Sequence, residues 1–322
     1  MKGCTLYKKI FFQFILIGSS FFCYSQNKIQ RDTSYTVAST YNKLIKKYPD
    51  INVVSNQIEN SIAEETEVIY KKIGNRILRL DAYYSSFPDK HPAVLLIHGG
   101  GWKSGDKSMM SPMAAKLAAN GYSCFTIEYR LSPEAKYPSA IYDVKSAIQF
   151  VKSNAAKFNV DTTRVAVLGC SSGGQMAALV GTTNKNKEFE DKIDFKSKVS
   201  TTIQAIVNID GILAFKHPES NEGEMAALWL GGTYDEKSYV WNDASALNHV
   251  DEKAPPILFI NSSFDRFHAG RDDMISILNR NNIYSEVKTI VGSPHSFWLF
   301  DPWFEQTVEY TTQFLQTIFK KI

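Results

Sequence analysis

The chain has 322 residues, and 44% of them are hydrophobic, so it can bury a sizeable core. This length favours one large α/β domain over two small ones. The formal charge of +3 depends on lysines near the N-terminus and falls to zero when residues 1–25 are removed. The remaining chain therefore has no charge excess that would indicate a nucleic-acid partner.

The N-terminus is typical of a secretory signal peptide. Three lysines precede an apolar run over residues 10–18, and serines follow it. The run is too short for a good membrane span, so we expect residues 1–25 to be removed by cleavage near Ser25. The alternatives are an uncleaved anchor or a lipoprotein modified at Cys23, although Phe22 is larger than such processing expects. The mature protein is expected to be secreted or periplasmic, with no stable membrane insertion.

Two cysteines, Cys124 and Cys170, remain after removal of this segment. Cys124 lies in a predicted strand and Cys170 in a turn, both at positions expected to be buried. Packed free thiols are therefore favoured over a disulfide or a metal site.

Residues 26–65 form a polar N-terminal extension to which the sequence assigns no role. A hairpin is predicted next, with strands at 68–73 and 77–84 joined by a turn at Gly74. We expect this hairpin at the antiparallel edge of a larger sheet. Residues 93–97 are continuously apolar, as in a central strand covered on both faces by helices.

Helical and strand patterns alternate after the central strand. A predicted helix over 112–120 ends at Gly121, a strand covers 123–130, and apolar residues keep helical spacing over 138–155. This alternation predicts parallel β-α-β winding.

A turn motif, Gly169-Cys170-Ser171-Ser172-Gly173, joins the apolar run 164–168 to a helical segment. It matches Gly-x-Ser-x-Gly, in which the serine lies at the apex of a sharp strand-to-helix turn. Glycines flank the serine because a strained turn leaves no room for side chains. Ser171 is therefore a candidate nucleophile, and the amides that begin the next helix face charge developing beside it.

A second glycine-rich motif, His-Gly-Gly-Gly-Trp at 98–102, follows the central strand. Successive glycines let the backbone approach a ligand and turn its amides inward, as an oxyanion hole requires. We assign the amides of Gly100, Gly101 and Ser172 to that hole. The alternative is a glycine-rich turn without chemistry. Trp102 is expected either to line an acyl pocket or to pack in the core.

Together with Glu128-Tyr129-Arg130-Leu131-Ser132 and Tyr137-Pro138, these motifs resemble the α/β-hydrolase esterases of the hormone-sensitive-lipase-like kind. They are most similar to the secreted bacterial acetyl-xylan and feruloyl esterase group. The resemblance covers about residues 65–320 and implies an α/β-hydrolase catalytic domain at 66–322. It implies a mostly parallel central sheet, helices on both faces and an antiparallel N-terminal edge. Ser172 replaces the alanine common in those enzymes, but only its amide is required.

In that family the nucleophile is followed by the acid and then by the histidine, each after a later strand. Asp265 follows the apolar strand 255–261 and is the expected acid. Asp272 competes with it, but more simply begins a helix. His295 follows the last predicted strand, where the base belongs. The expected catalytic triad is Ser171, Asp265 and His295.

The resemblance implies a secreted serine esterase that removes acetyl or feruloyl groups from polysaccharide or oligosaccharide through an acyl-serine intermediate. No metal or organic cofactor is expected, because His, Asp and Cys residues lack ligand spacing. The expected partner is a small-molecule or oligosaccharide ester. The candidate substrate contacts are Trp102 from the glycine loop and, from the later loops, His217, Arg266, His268 and Trp298. Packing of the final helix is the alternative explanation for Trp298.

Other functions remain open at this point. A serine peptidase, an amidase or a small-ester lipase could use the same triad. A non-catalytic carbohydrate-binding protein is the alternative of a different class, and the intact serine, acid and histidine argue against it.

Overall fold

The computed structural model describes residues 1, 32–184, 186–189, 199–221 and 223–322. The expected signal peptide and its cleavage site lie outside these residues, except for Met1. Arg31–Ile322 form one compact unit. Within the described residues, no helix is both long enough and apolar enough to cross a bilayer.

The predicted strands and helices occur in the expected order, together with further elements that the sequence pattern does not predict. The strands are β1 (Asn52–Val53), β2 (Ile62–Ile73), β3 (Arg76–Ser85), β4 (His91–Ile97), β5 (Ser123–Ile127), β6 (Val160–Cys170), β7 (Ala205–Ile209), β8 (Ile257–Asn261), β9 (Ser285–Thr289) and β10 (Phe300–Asp301). The α-helices are α1 (Val37–Leu44), α2 (Ser111–Ala119), α3 (Ser139–Ser153), α4 (Ser172–Thr182), α5 (Gly223–Leu230), α6 (Tyr234–Asp243), α7 (Arg271–Arg280) and α8 (Trp303–Phe319).

The main sheet has eight strands in the order β2-β3-β5-β4-β6-β7-β8-β9. β3 is antiparallel to both β2 and β5, and every other neighbouring pair is parallel. The predicted hairpin is confirmed at the antiparallel edge. The turn between its strands contains Gly74, which has φ +55°, and Ile73 pairs with Arg76 across this turn.

Helices cover both faces of this sheet, as the apolar central strand predicts. Ala93, Leu95 and Ile97 of β4 pack in the core under α3 and α4, whereas Val94 and Leu96 pack in the core under α2 and α8. Alternate residues of a strand point to opposite faces, so a strand buried on both faces must be apolar throughout. The expected α/β-hydrolase architecture is confirmed.

The N-terminal extension packs on the same unit. α1 lies against the core on the α8 side, and β1 pairs with β10 in a separate two-stranded sheet. β2 begins at Ile62, so the expected boundary between the extension and the following domain falls inside this strand.

The four strands β6, β7, β8 and β9 are consecutive parallel neighbours. Their carboxyl ends therefore lie along one edge of the sheet. Ser171, Asp210, Asp265 and His295 each follow one of these strands and are brought to that edge. Ligand sites of open α/β sheets lie in the crevice outside these strand ends.

Both remaining cysteines are buried free thiols, as predicted. Cys124 lies in β5 and Cys170 ends β6. Burial raises the pKa of each thiol well above its ordinary value, so both stay protonated and act as small apolar groups.

Candidate active site

Ser171 lies at the apex of the turn between β6 and α4. Its backbone has φ 53° and ψ −121°, and its amide donates to the carbonyl of Ile209 at 2.8 Å. The flanking glycines are required by close approach. A Cβ on Gly169 would lie 2.0 Å from the carbonyl oxygen of Gly173, and one on Gly173 would lie 2.2 Å from that of Ile97. The chain can make this turn only without those side chains.

The structure brings Ser171 and His295 together. Nε2 of His295 lies 3.0 Å from Oγ of Ser171, and Nδ1 lies 2.9 Å from Oδ2 of Asp210. The side chain of Asp210 is fully buried, and its Oδ1 accepts from the amide of Ser262 at 2.7 Å. A hydroxyl, an imidazole and an oriented carboxylate thus form one hydrogen-bonded relay, the arrangement that activates a serine.

Asp265 is not the carboxylate that meets His295, and this expectation is corrected to Asp210. The side chain of Asp265 is 87% exposed, and its Oδ1 lies 3.7 Å from Nε2 of the neighbouring His268. The one-turn 3₁₀ helix Asp265–His268 turns the carboxylate outward. The same loop places Phe267 on the imidazole instead, with ring centroids 3.5 Å apart and planes 7° apart.

A sequence signal for Asp210 does exist. Asp210 directly follows the buried strand β7 and is itself followed by a glycine. In the sheet, β7 is the neighbour of β6, the strand that leads to the serine. The order of serine, acid and histidine along the chain is satisfied by Asp210 as well as by Asp265. Only contact with His295 distinguishes them.

The glycine loop after β4 lies beside the serine. Gly100 has φ +127° and Gly101 has φ +59°, and the Gly100 carbonyl accepts from the amide of Ser104 at 3.0 Å. The imidazole Nδ1 of His98 lies 2.8 Å from the carbonyl of Gly99, which braces the loop at its start. These contacts hold a backbone conformation that residues with side chains rarely adopt.

A small cavity of about 30 Å³ opens onto the serine. It is lined by Gly101, Trp102, Ser171, Ser172, Asp210, Ile212 and Phe267. Two residues assigned to the oxyanion hole, Gly101 and Ser172, therefore face the reacting group. Gly100 shapes the loop but is not among the lining residues. The hydroxyl of Ser172 is buried without a hydrogen-bond partner.

Trp102 both lines the cavity and packs in the core. It is 3% exposed, and its ring stacks on Trp229 with centroids 5.0 Å apart and planes 11° apart. Its Nε1 donates to Oε1 of Gln175 at 3.0 Å, and Nε2 of Gln175 donates to the carbonyl of Ala244 at 2.8 Å. The wall of the cavity is therefore fixed by stacking and by hydrogen bonds.

Of the other candidate substrate contacts, Arg266 is exposed and Trp298 is buried. Arg266 is exposed, and its guanidinium carbon lies 4.5 Å from the ring centroid of Phe267, at the rim of the cavity. Trp298 is 2% exposed and meets the His295 ring edge-to-face at 5.2 Å. Because Trp298 is buried against the imidazole, it has no open face for a sugar, and that expectation is corrected.

The two histidines expected near the substrate do not line the cavity. Nε2 of His217 lies 3.0 Å from Oδ2 of Asp273, which links the loop after β7 to α7. His268 is buried, and its pKa is lowered by burial and by the nearby Arg271. Among the residues that the structure describes, no group of three His, Cys, Asp or Glu could hold a metal ion.

Comparison with known proteins identifies relatives of this chain. A family described as BD-FAE matches residues 80–271, which include Ser171 and Asp210 but not His295. Esterase LipC of Mycobacterium tuberculosis is 28% identical over 226 residues, which cover 65% of this chain and 54% of LipC. The chain spans about half the length of the curated relatives it matches, LipC among them.

Solved structures share the fold. A truncated carbohydrate esterase from gut microbiota superposes with a TM-score of 0.70 at 24% identity, covering 82% of this chain and 99% of its own. A thermophilic esterase, Est2 from Thermogutta terrifontis, superposes with a TM-score of 0.66 at 23% identity, covering 79% of this chain and 92% of its own.

Proposed function

We propose that this chain, which belongs to the BD-FAE family of α/β-hydrolases, is a serine carboxylic-ester hydrolase that removes acetyl groups from carbohydrate. The observation that carries the proposal is the relay from Ser171 through His295 to Asp210, which opens onto a small cavity. The relatives and the structural neighbours support an ester as substrate.

The geometry supports a two-step mechanism. Nε2 of His295 takes the proton of the Ser171 hydroxyl as its oxygen attacks the ester carbonyl, and Nδ1–H donates to the buried Asp210 carboxylate. The imidazolium then gives its proton to the alcohol oxygen of the ester. The bond between that oxygen and the carbonyl carbon breaks, the alcohol departs, and the acyl group stays on Ser171. Water, deprotonated by His295, attacks this acyl group and releases the acid and the free serine.

Amides stabilise the oxyanion formed in both steps. Gly101 and Ser172 face the cavity and are the proposed donors, with Gly100 as a third from the same loop. Loss of one such donor costs about 3–4 kcal/mol in comparable enzymes.

The size of the cavity favours acetyl over feruloyl esters. One water molecule requires roughly 10–15 Å³ of such space, so about 30 Å³ holds two or three heavy atoms. An acetyl group has three, whereas a feruloyl group is several times larger. Trp102, which lines this cavity, is held in place by the stack on Trp229 and by the hydrogen bond to Gln175, and this supports a preference for a short acyl group.

The alcohol side of the substrate is open to solvent. Arg266 lies at this rim, and its guanidinium suits an acidic group on a sugar. Under this assignment, Arg266→Gln raises KM for acetylated pectin fragments, which carry carboxylates, more than for neutral acetylated xylan. An equal rise in KM for the two polymers would contradict this role of Arg266.

A panel of esters tests the proposal. Purified chain is incubated with acetylated xylan, acetylated pectin and feruloylated oligosaccharides, and the released acid is measured. Acetate release that is abolished in Ser171→Ala supports it. Hydrolysis of aminoacyl amides in preference to acetyl esters would favour a peptidase. Failure of a fluorophosphonate to label Ser171 would favour a binding protein.

Export through residues 1–25 belongs to the same proposal, because a polysaccharide substrate lies outside the cell. The arrangement of lysines, apolar run and serines supports it. Sequencing the N-terminus of the exported chain tests it: a start near Gln26 is expected, and a start at Met1 contradicts it.

A further inference from the structure

The N-terminal extension, to which the sequence assigns no role, contacts both loops of the candidate site. The hydroxyl of Tyr35 lies 3.0 Å from Oγ of Ser296, the residue after His295. The carboxylate of Asp32 lies 3.1 Å from Nζ of Lys103, in the loop that carries Gly101. Two residues three positions apart thus join the histidine loop and the glycine loop.

We propose that Tyr35 is a positioning residue that holds His295 in line with Ser171, and that the Asp32–Lys103 pair anchors the same segment to the oxyanion loop. This inference rests on the proposed esterase function. It gives residues 32–53 a role in catalysis without contact with the substrate.

The histidine loop needs such a support. Ser296 has φ +74°, a left-handed conformation that a serine adopts at a cost unless its surroundings hold it. A rotation at Ser296 would swing the preceding imidazole away from Ser171. The Tyr35 hydroxyl bonds the side chain of Ser296 and so opposes this rotation.

Tyr35 is a suitable fixed support because its hydroxyl stays neutral. Burial raises the pKa of this phenol far above its ordinary value and outweighs the opposing effect of the hydrogen bond with Ser296. The hydroxyl therefore remains a hydrogen-bonding group at every pH at which an esterase would work.

The segment around Tyr35 is itself anchored. Thr36 and Ser39 form a reciprocal capping box that begins α1. Farther on, Tyr48 packs edge-to-face on Trp303 with centroids 5.5 Å apart, and β1 pairs with β10, which follows the histidine loop. The support and the loop it holds therefore share one packed unit.

The ion pair between Asp32 and Lys103 persists at the pH at which an esterase would work. Hydrogen bonds from Ser34, and then the Lys103 ammonium, lower the pKa of Asp32 to about 2. A carboxyl with a lowered pKa loses its charge only as the pH falls through that value, so the ion pair with Lys103 persists above about pH 3.

The test removes the hydroxyl of Tyr35 and keeps its ring. Tyr35→Phe should lower kcat about three- to tenfold, the equivalent of one hydrogen bond, and leave KM unchanged. Tyr41→Phe is the matched control, because Tyr41 lies in the same segment and packs through its ring on Phe300. Circular dichroism at the assay temperature verifies that each variant is folded.

A double-mutant cycle with Ser296→Ala assigns the effect to this contact. The strain of alanine at a positive φ is equal in both backgrounds and cancels, so the double variant should be no slower than the slower single variant. Fully additive losses, an unchanged kcat in Tyr35→Phe, or a change confined to KM would overturn the proposal.

A readout that needs no substrate separates this inference from the esterase proposal. The downfield proton resonance of the His295 Nδ1–H, hydrogen-bonded to Asp210, should broaden in Tyr35→Phe and keep its wild-type width in Tyr41→Phe. Broadening in a chain that hydrolyses no ester would support the positioning role and refute the function. An unchanged resonance in an active esterase would refute the positioning role alone.

Discussion

The identity of the acid shows what one side chain contributes to the site. The side chain of Asp210 is fully buried, and both of its carboxylate oxygens accept hydrogen bonds, one from His295 and one from the amide of Ser262. A carboxylate in that position orients the imidazole and stabilises the imidazolium that forms when Ser171 is deprotonated. Asp265 is exposed and lies against another histidine, where it can do neither.

Substitution of each aspartate separates the two roles. Asp210→Asn should lower kcat by about 10³–10⁴-fold, because the amide favours the wrong imidazole tautomer. Asp265→Asn should stay within about twofold of the parent, as expected for an exposed residue. The rate on p-nitrophenyl acetate measures both. A large loss in Asp265→Asn with activity retained in Asp210→Asn would restore the sequence-based assignment.

Phe267 is a second residue whose role only the structure reveals. Its ring stacks face-to-face on His295, lines the cavity beside Ser171 and supports the Arg266 guanidinium. The loop in which the acid was expected thus supplies a cover for one face of the base. The His295 side chain as a whole remains 24% exposed, so Phe267 covers one face of the imidazole without sealing it from water.

Removal of this cover should slow the reaction. Phe267→Leu should lower kcat about two- to tenfold, since stacked rings contribute roughly 0.5–1.5 kcal/mol beyond their buried area. Phe264→Leu is the matched control, because Phe264 is 41% exposed and touches Phe267 only edge-to-face, at 6.3 Å. Steady-state kinetics on an acetyl ester measure both variants. Equal losses would mean that general packing of the loop, and not the stack, is responsible.

At the scale of elements, the loop after β4 and helix α4 together form one wall of the cavity beside Ser171. The loop supplies Trp102, and α4 supplies Gln175, whose side-chain oxygen accepts a hydrogen bond from the indole. The ring of Trp229, in α5, stacks on the ring of Trp102. Three elements therefore set the depth of one cavity, and shortening one side chain should deepen it.

Trp102→Leu should shift acyl preference toward longer chains. The ratio of kcat/KM for butyrate to that for acetate should rise about tenfold, since two added methylenes bury roughly 0.8 kcal/mol each. Trp229→Phe keeps an aromatic ring behind Trp102 and should leave the ratio unchanged. A series of p-nitrophenyl esters measures both. An unchanged ratio in Trp102→Leu would place the acyl group elsewhere.

At the scale of the whole molecule, one buried carboxylate ties three parts of the fold together. Asp143 of α3 is fully buried and lies 3.3 Å from Lys71 of β2 and 2.8 Å from Arg130, which follows β5. The antiparallel edge of the sheet is thereby joined to the helix layer. Removal of one charge from such a cluster leaves buried cations poorly compensated.

Asp143→Asn should lower the free energy of unfolding by about 3–5 kcal/mol. Glu65→Gln removes an exposed ion pair with Lys157 and should cost at most about 1 kcal/mol. Denaturant unfolding followed by circular dichroism measures both. Equal small losses would show that solvent already screens the Asp143 cluster.

Local patterns were sufficient for much of this protein. Alternation predicts the β2–β3 hairpin, and the continuous apolar run predicts the buried β4. The glycines around Ser171 and those of the 98–102 loop mark tight backbone approaches, which leave a direct trace in the sequence because no other residue fits. Periodicity and steric exclusion act over a few residues, so sequence alone determined these features.

Tertiary structure alone decided which distant residues meet. Asp210 and His295 are 85 residues apart, and Tyr35 and Ser296 are 261 apart. No local pattern records such a pairing, because sheet order and loop paths set it, and two aspartates that follow neighbouring strands are equivalent in sequence. The contacts of His295 with Asp210 and Phe267, and those of the N-terminal extension with the histidine loop, therefore depend on packing between segments remote in the chain.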